Sequence, residues 1–184
     1  GIFLNLFAYA DDMVLIAPSW FALQKLLVTI QDEATSINMS FNTKKTVCME
    51  FNPVQKCKVV AATFPRLTLA GCELTYVDKF KYLGHIIEKD LSDNSDINRE
   101  IKCLYTRTNI MMRRFHRCSV RVKLQLFRTY CMCFYDAALW LNFNVQTMKH
   151  FQSCYIKCIK MFFGYQKYHH TIPYQCCLNY DYLL

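Results

Sequence analysis

Two adjacent carboxylates near the start of the chain, Asp11 and Asp12, are the residues best suited to chemistry. They join two short apolar runs, residues 2–10 and 13–17, which predict a β-hairpin with mostly buried strands and the carboxylates at its tip. Like charges side by side are unfavourable unless a cation binds them, and Mg²⁺ prefers carboxylate oxygen. A pair of such ions can activate an attacking hydroxyl and stabilise a leaving phosphate oxygen. Taken alone, the two residues fit a solvent-exposed turn better than a metal site.

One amphipathic helix and several short strands are predicted to follow this hairpin. Ser19 is placed to cap the helix and Asn38 to end it, because asparagine tolerates the left-handed conformation of a C-terminal stop. An apolar stripe runs between them at helical spacing, formed by Leu23, Leu26, Leu27, Ile30 and Ala34. Strands are predicted over residues 46–51, 58–62, 67–70 and 74–77, with a turn at Gly71, and residues 80–87 form a further extended segment.

After residue 90 the pattern changes to long helices. The first has an apolar stripe over residues 97–115 at near-heptad spacing. A second helix is predicted from its cap at Ser119 to about residue 141, and a third over residues 146–163, ending at Gly164. The sequence therefore predicts an α+β chain in which strands with one helix precede a region of helices alone.

Positive charge is concentrated in the first part of this helical region. Residues 95–130 contain nine lysines and arginines against two acids, a net +7 out of +8 for the whole chain. At about 100° per residue, six of these cations lie within roughly 80° of Arg99, on the sector opposite the apolar stripe. They are Arg99, Lys102, Arg107, Arg113, Arg114 and Arg117. Such a row suits the sugar–phosphate backbone of a nucleic acid, and a solvated helix face accounts for it equally well.

Composition excludes several classes of protein. With 53% hydrophobic and 20% charged residues, the chain is not expected to be intrinsically disordered. No apolar run reaches the roughly 18 residues of a membrane span. The first residues do not resemble a secretory leader, so the eleven cysteines are expected to be mostly reduced and buried in a reducing compartment. A zinc site at Cys154, Cys158, His169 and His170 fits no common spacing.

Three segments resemble reverse transcriptases, in the order in which that family has them. Residues 7–12, Phe-Ala-Tyr-Ala-Asp-Asp, resemble the Tyr-x-Asp-Asp palm hairpin, in the form found in non-LTR retrotransposon (LINE-type) enzymes. Residues 38–46 resemble the family's Gly-Leu-x-x-Asn-x-x-Lys-Thr segment, with Asn38 in place of the glycine and Met39 in place of the leucine. Residues 80–87 are similar to its primer-grip hairpin, and the basic helix is similar to the start of its thumb.

The resemblance implies a role for each matching residue. Asp11 corresponds to the family's metal-binding carboxylate, and Asp12 to its less stringent neighbour. Tyr9 corresponds to the aromatic residue beside the primer end. Lys45 corresponds to the lysine that protonates or stabilises the leaving pyrophosphate, where a cation makes electrostatic sense. The primer-grip positions are Tyr82, Leu83 and Gly84.

The implied fold is a partial reverse-transcriptase palm, antiparallel strands with one helix over residues 1–90, followed by an all-helical thumb and further helices over residues 91–184. The implied reaction is RNA-templated DNA synthesis from a DNA primer and deoxynucleotides, with two Mg²⁺ ions. The family's first catalytic aspartate and its fingers lie upstream of the Tyr-x-Asp-Asp hairpin. The chain begins only about eight residues before that hairpin, as a fragment does, so it is expected to be inactive alone and to leave apolar strand surface uncovered.

Two other interpretations stay open at the level of sequence. One is a non-catalytic nucleic-acid-binding remnant that uses the basic helix over residues 97–117. The other is a degenerate reading frame without function, which the abrupt start and cysteine-rich end favour and the intact residues 9–12 oppose. The protein is expected inside the cell, in the nucleus or cytoplasm, and not to be secreted, with no membrane partner.

Overall fold

A computed structural model describes residues 4–52 and 64–165 of the chain. The predicted strand over residues 58–62 and the first residues of the predicted strand over 2–10 lie outside these ranges. The fold is mixed α+β and divides into two compact units, Gly1–Asp78 and Lys79–Leu184. The hairpin that carries Tyr82 thus falls in the second, helical unit, whereas the sequence placed the boundary near residue 90. Within the described ranges, no helix is long and apolar enough to cross a membrane.

Short strands and one helix form the first unit. In chain order they are β1 (Leu6–Tyr9), β2 (Asp12–Leu15), α1 (Trp20–Ser36), β3 (Val47–Cys48), β4 (Thr68–Leu69), β5 (Cys72–Glu73) and β6 (Thr75–Tyr76). The pairs β1–β2 and β4–β5 are antiparallel. β5 was not predicted, since it lies between the strands predicted over 67–70 and 74–77. β6, within the second of these, pairs with β3 in parallel, against the antiparallel arrangement that the resemblance implies. β3 is also shorter than the predicted strand over 46–51, because alternating side chains predict extended backbone but not the length over which a neighbouring strand pairs with it.

Both predicted ends of α1 are confirmed. The Ser19 side chain accepts a hydrogen bond from the backbone N–H of Ala22 at 3.2 Å, which satisfies one of the free donors at the start of the helix. At the other end, Asn38 has the positive φ of 56° that the sequence predicts for a left-handed stop. The helix therefore begins and ends for the reasons that its terminal residues supply.

The core of the first unit lies between α1 and the short strands. It consists of Leu27, Cys48, Leu67, Leu69 and Leu74. Two glutamines of α1 hold β4 in place through its backbone. Gln24 both donates to and accepts from the backbone of Thr68 at 2.9 Å, and Gln31 accepts from the N–H of Ala70 at 2.7 Å. These bonds replace the neighbouring strand that so short a β-segment lacks on that side.

The β1–β2 hairpin forms as predicted, but its strands are exposed rather than buried. Phe7 keeps 45% of its surface accessible and Leu6 keeps 46%. Within the described residues these strands pair only with each other, and Leu15 is the residue of β2 that packs against the core. Burial was predicted wrongly because an apolar run indicates a strand but does not show whether another layer of the protein covers it.

One hairpin and five helical segments form the described part of the second unit. They are β7 (Lys79–Tyr82), β8 (His85–Glu88), α2 (Asn94–Phe115), α3 (Val120–Leu126), a π-helical turn (Phe127–Cys131), a short 3-10 turn (Ala137–Leu139) and α4 (Val145–Phe163). β7 and β8 are antiparallel. α4 ends at Gly164, whose φ of 75° completes the predicted left-handed stop.

The single helix predicted from Ser119 to about residue 141 is wrong, since α3 has only seven residues. α3 continues directly into the π-helical turn, which ends at Cys131, and the chain then leaves regular helical geometry so that two rings can pack on α4. Phe134 meets Phe151 edge to face at 5.3 Å between ring centres, and Trp140 meets the same ring at 5.4 Å. Packing of large aromatic side chains has overridden helix propensity here.

The apolar stripe of α2 forms the centre of the second unit, as predicted. Ile97, Ile101, Leu104 and Thr108 are all buried. The opposing face of α4 contributes Phe151, Cys154, Tyr155, Cys158, Ile159 and Phe162. Phe127, at the start of the π-helical turn, is also completely buried and packs beside Tyr155.

Truncating the α2 stripe should therefore destabilise the second unit strongly. Ile97→Ala, at a position with no exposed surface, should lower the free energy of unfolding by about 2–5 kcal/mol. Ile110→Ala removes the same atoms from the same helix at a position 43% exposed, and should change it by less than about 0.5 kcal/mol. Urea unfolding followed by circular dichroism measures both. Equal losses from the two variants would contradict the packing described above.

Candidate functional site

Asp11 and Asp12 lie at the tip of the β1–β2 hairpin, where the sequence predicts them. Tyr9 pairs across the hairpin with Asp12, and Ala10 and Asp11 form the two-residue turn. Ala10 has a φ of 52°, which a non-glycine residue adopts at a cost of roughly 1–2 kcal/mol. A positive φ at the first central residue belongs to the turns that match the twist of a hairpin. The turn thus holds the two carboxylates next to each other on a strained bend.

The chemistry of this tip suits a hard divalent cation only in part. Asp11, Asp12 and Tyr9 are all exposed, and Tyr9 keeps 64% of its surface accessible. Mg²⁺ commonly binds through one or two carboxylates and completes its shell with water and phosphate oxygens, so the donor set fits. Among the described residues, however, no third carboxylate, histidine or cysteine joins the pair. Asp11 and Asp12 are therefore suited to supply part of the coordination shell of Mg²⁺.

Lys45 lies in an exposed turn before β3. Its backbone N–H donates to the carbonyl oxygen of Asn42 at 3.0 Å and to the Asn42 side chain at 3.3 Å. The hydroxyl of Thr46 donates to the same Asn42 carbonyl at 2.9 Å. Asparagine therefore shapes this turn and leaves the ammonium in solvent. Among the ion pairs of the described residues, none joins Lys45 to Asp11 or Asp12.

Tyr82, Leu83 and Gly84 form the end of the β7–β8 hairpin. Reading the residues alone predicted one extended segment, and the resemblance predicted a hairpin; the structure has the hairpin. Leu83 and Gly84 have φ values of 47° and 96°, the double positive φ of a tight two-residue turn. Gly84 suits that position because it has no Cβ to clash. Tyr82 pairs with His85 across the turn, and the Leu83 side chain is exposed.

A buried carboxylate that the sequence analysis did not single out supports this hairpin. Asp96, near the start of α2, has no exposed surface. It accepts hydrogen bonds from the backbone N–H of Ile86 in β8 at 3.0 Å and from Trp140 Nε1 at 2.9 Å. Arg99 adds a third donor at 2.7 Å. Burial alone raises the pKa of a carboxyl, but these donors outweigh it and hold the pKa of Asp96 below its ordinary value.

Arg99 connects three acids rather than facing solvent. Besides Asp96, it contacts Asp136 at 2.7 Å and Glu100 at 3.2 Å. Hydrogen bonding to Asp96 raises the pKa of Arg99, so its charge is permanent. Arg107 is engaged in the same way, by an ion pair with Glu100. The interior acids thus withdraw two of the six predicted phosphate-binding cations, whereas Lys102, Arg113, Arg114 and Arg117 are exposed as predicted.

His85, Asp96 and Asp136 lie close enough to share a metal ion. His85 Nδ1 is 3.1 Å from Asp96, and its Nε2 is 4.0 Å from Asp93. The guanidinium of Arg99 already bridges the two carboxylates of this group, and a second cation there would meet its charge. This group is therefore an internal ion network. In the sequence, this network is indicated by the two acids at residues 96 and 100, which lie one helical turn apart within a basic window.

The cysteines are less uniformly buried than predicted. The described thiols are free; Cys48, Cys131, Cys154 and Cys158 are buried, and the exposed one is Cys72. Burial raises the pKa of the Cys158 thiol to about 11, which keeps it protonated and unreactive. Of the weak zinc pattern, Cys154 and Cys158 lie on the buried face of α4, while His169 and His170 lie outside the described residues.

Comparison with known proteins gives no match. No protein-family model, no curated protein and no solved structure matches this chain.

The buried carboxylate predicts a specific dependence of stability on pH. Because the pKa of Asp96 is lower in the folded state, its contribution is complete above the unfolded value of about 3.9 and is lost as the pH falls through the folded value. Asp96→Asn should lower the free energy of unfolding at pH 7 by about 3–5 kcal/mol, since it leaves Arg99 underneutralised. Between pH 6 and 3 the variant should lose less stability than the wild type.

Urea unfolding at a series of pH values measures this difference. Asp32→Asn, at an exposed position of α1, is the matched control and should follow the wild-type curve. If Asp96→Asn and Asp32→Asn change stability equally, the carboxylate does not have the role described.

Proposed function

We propose that this chain is part of a non-LTR retrotransposon reverse transcriptase, comprising the second half of its palm and the thumb-like helices that follow. One observation carries the proposal. The residues that resemble the Tyr-x-Asp-Asp motif form a tight antiparallel hairpin, with Asp11 and Asp12 exposed on the bend. Carboxylates presented in this way suit Mg²⁺ ions that also bind phosphate oxygens.

Local geometry at the next two motifs supports the same proposal. α1, of 17 residues, separates the hairpin from the segment that resembles Gly-Leu-x-x-Asn-x-x-Lys-Thr. Asn38 stands where the family has glycine, and it has a left-handed backbone, the conformation for which glycine is the usual residue. Gly84 likewise has a positive φ in the segment that resembles the primer grip. Asn38, which replaces the family's glycine, and Gly84, which is retained, are both residues suited to a backbone with positive φ.

In the proposed reaction a primer 3′-hydroxyl attacks the α-phosphate of a deoxynucleotide. Bound Mg²⁺ would supply charge stabilisation for this phosphoryl transfer. Asp11 and Asp12 would hold metal, Tyr9 would lie beside the primer end, and Lys45 would face the leaving pyrophosphate. The family's first catalytic aspartate lies upstream of the hairpin, and these 184 residues contain no match to it.

The 184-residue chain should therefore not extend a primer by itself. With an RNA template, a DNA primer, deoxynucleotides and Mg²⁺, we expect no incorporation above background. Joining the chain behind the fingers and first palm half of a LINE-type reverse transcriptase should restore synthesis. That synthesis should disappear in Asp11→Ala and persist in Asp32→Ala, which removes an exposed acid of α1. A joined protein that binds primer–template but shows no Asp11-dependent synthesis would overturn the proposal.

A second candidate function, nucleic-acid binding without catalysis, has its own supporting observation. Lys102, Arg113 and Arg114 are exposed on α2, and Arg117 is exposed in the turn just after it, because α2 ends at Phe115 rather than at residue 117 as the sequence predicts. Within the described part of the chain, none of them belongs to an ion pair, in contrast to Arg99 and Arg107. Unpaired cations on one helix can replace the counterions of a phosphate backbone.

Charge reversal tests the second candidate. Arg113→Glu, Arg114→Glu and Arg117→Glu together should abolish binding of an RNA–DNA hybrid, because three phosphate contacts become repulsive. Asp11→Ala should leave that binding unchanged. Lys25→Glu, Lys44→Glu and Lys149→Glu reverse three exposed charges elsewhere and control for net charge. Fluorescence anisotropy over a range of salt concentrations gives the affinity and its salt dependence. Equal losses in the two triple variants would leave α2 without a specific role.

A further inference from the structure

A thiol and an imidazole lie in contact on α4, at the edge of the buried face of that helix. The Cys154 sulfur is 3.6 Å from Nε2 of His150 and 3.9 Å from its Nδ1. Cys154 is 5% exposed, whereas His150 is an exposed residue. Within the described chain, the imidazole has no other hydrogen-bond partner and no ion pair. The contact thus joins a sulfur held in the core to a ring that solvent can reach.

The spacing of the two side chains suits a metal ion that takes sulfur and nitrogen ligands. Zn²⁺ binds cysteine sulfur at about 2.3 Å and histidine nitrogen at about 2.0–2.1 Å, so a tetrahedral ion places the two ligand atoms about 3.5–3.6 Å apart. Ligands at positions i and i+4 of a helix can reach one zinc ion from the same face. The observed 3.6 Å between Cys154 and His150 therefore matches such a chelate on a fixed helix.

The neighbouring helix α2 supports the sulfur. The Tyr105 hydroxyl forms a hydrogen bond with the Cys154 thiol. The Tyr105 ring is held in turn by Lys157 of α4, whose ammonium lies 5.7 Å from the ring centre. A hydroxyl that donates to a thiolate orients the sulfur and stabilises its charge, which is what the outer partners of metal ligands commonly do.

The solvent side of the pair has room for further ligands. His150 lines an open cavity of about 570 Å³ together with four other polar residues, Asn98, Asn144, Gln146 and Thr147. Among the described residues, no lysine or arginine donates to the Cys154 sulfur or to the His150 ring. In this respect the pair differs from the group of His85, Asp96 and Asp136, where a guanidinium already bridges the carboxylates.

We propose that Cys154 and His150 bind a zinc ion, with Tyr105 as the hydrogen-bond partner of the ligating thiolate. Two protein ligands leave two positions of a tetrahedral shell, which water fills from the cavity. Binding releases the thiol proton to solvent, because the thiolate is the form that ligates. The inference is independent of the proposed polymerase function, whose Mg²⁺ ions take oxygen ligands.

The test measures zinc binding by the full chain in competition with a chromogenic chelator, with a reductant that contains no thiol. His150→Ala and Cys154→Ser should each weaken the binding of one ion at least tenfold, and Tyr105→Phe should weaken it about tenfold. His116→Ala and Cys118→Ser change a histidine and a cysteine in the turn after α2, and both should bind as the wild type does. Circular dichroism verifies that each variant is folded, and His150→Ala alters an exposed side chain.

A second arm identifies the ligand atom, since the chain contains eleven cysteines. Cd²⁺ bound to a thiolate gives a charge-transfer absorption in the ultraviolet. Cys154→Ser should reduce that absorption by the amount of one thiolate, and Cys118→Ser should leave it unchanged. A large excess of Mg²⁺ should not displace zinc, because this ion prefers oxygen ligands.

The outcomes separate this inference from the functions proposed above. If His150→Ala binds zinc as tightly as the wild type, or no more weakly than His116→Ala, the inference is wrong and the contact is a thiol–imidazole hydrogen bond alone. Equal absorption of the Cd²⁺ forms of Cys154→Ser and Cys118→Ser overturns it as well. Zinc binding that depends on His150 and Cys154 supports the inference even where the joined polymerase shows no synthesis that depends on Asp11.

Discussion

Burial of one carboxylate constrains most of the second unit. A charged group without contact to water is stable only if hydrogen bonds and an opposite charge replace its hydration. Asp96 obtains these from three separate parts of the chain: the backbone of Ile86, the guanidinium of Arg99 and the ring nitrogen of Trp140. Each donor fixes its own element, so hairpin, helix and the 3-10 segment must come together for the charge to be tolerated.

This requirement explains why the net charge of the window overstated the number of cations exposed to solvent. The sequence window from 95 to 130 carries +7, and six of its nine cations were predicted to share one helical sector. Two acids within it, Asp96 and Glu100, are buried, and they draw Arg99 and Arg107 into the protein. The basic sector is thereby divided into an internal portion and an exposed portion. Charge available to a ligand is set by pairing, which a count of lysines and arginines does not include.

Local signals were sufficient for some elements and insufficient for others. Ser19, Asn38 and Gly164 mark the ends of α1 and α4 because caps and left-handed stops depend on neighbouring residues alone. The apolar stripe of α2 was predicted equally well, since the spacing of its residues is a local property. The end of helical structure after Cys131 was not, because it depends on Phe134 and Trp140 reaching a ring on α4 that is distant in sequence. The prediction that β1 and β2 are buried failed for the same reason.

The candidate metal site likewise has one property that the local sequence predicts and one that it does not. That Asp11 and Asp12 lie on a bend follows from residue types, and the hairpin confirms it. Whether they ligate a metal depends on what else approaches them, which is a tertiary property. An alanine at φ 52° costs energy that the hairpin alone has little capacity to offset, since isolated two-stranded hairpins are marginally stable. Strain of this kind persists when something outside the turn fixes it. A metal ion shared by the two carboxylates, or a further strand on the exposed apolar face, would supply that constraint, and the polymerase palm proposed above would provide both.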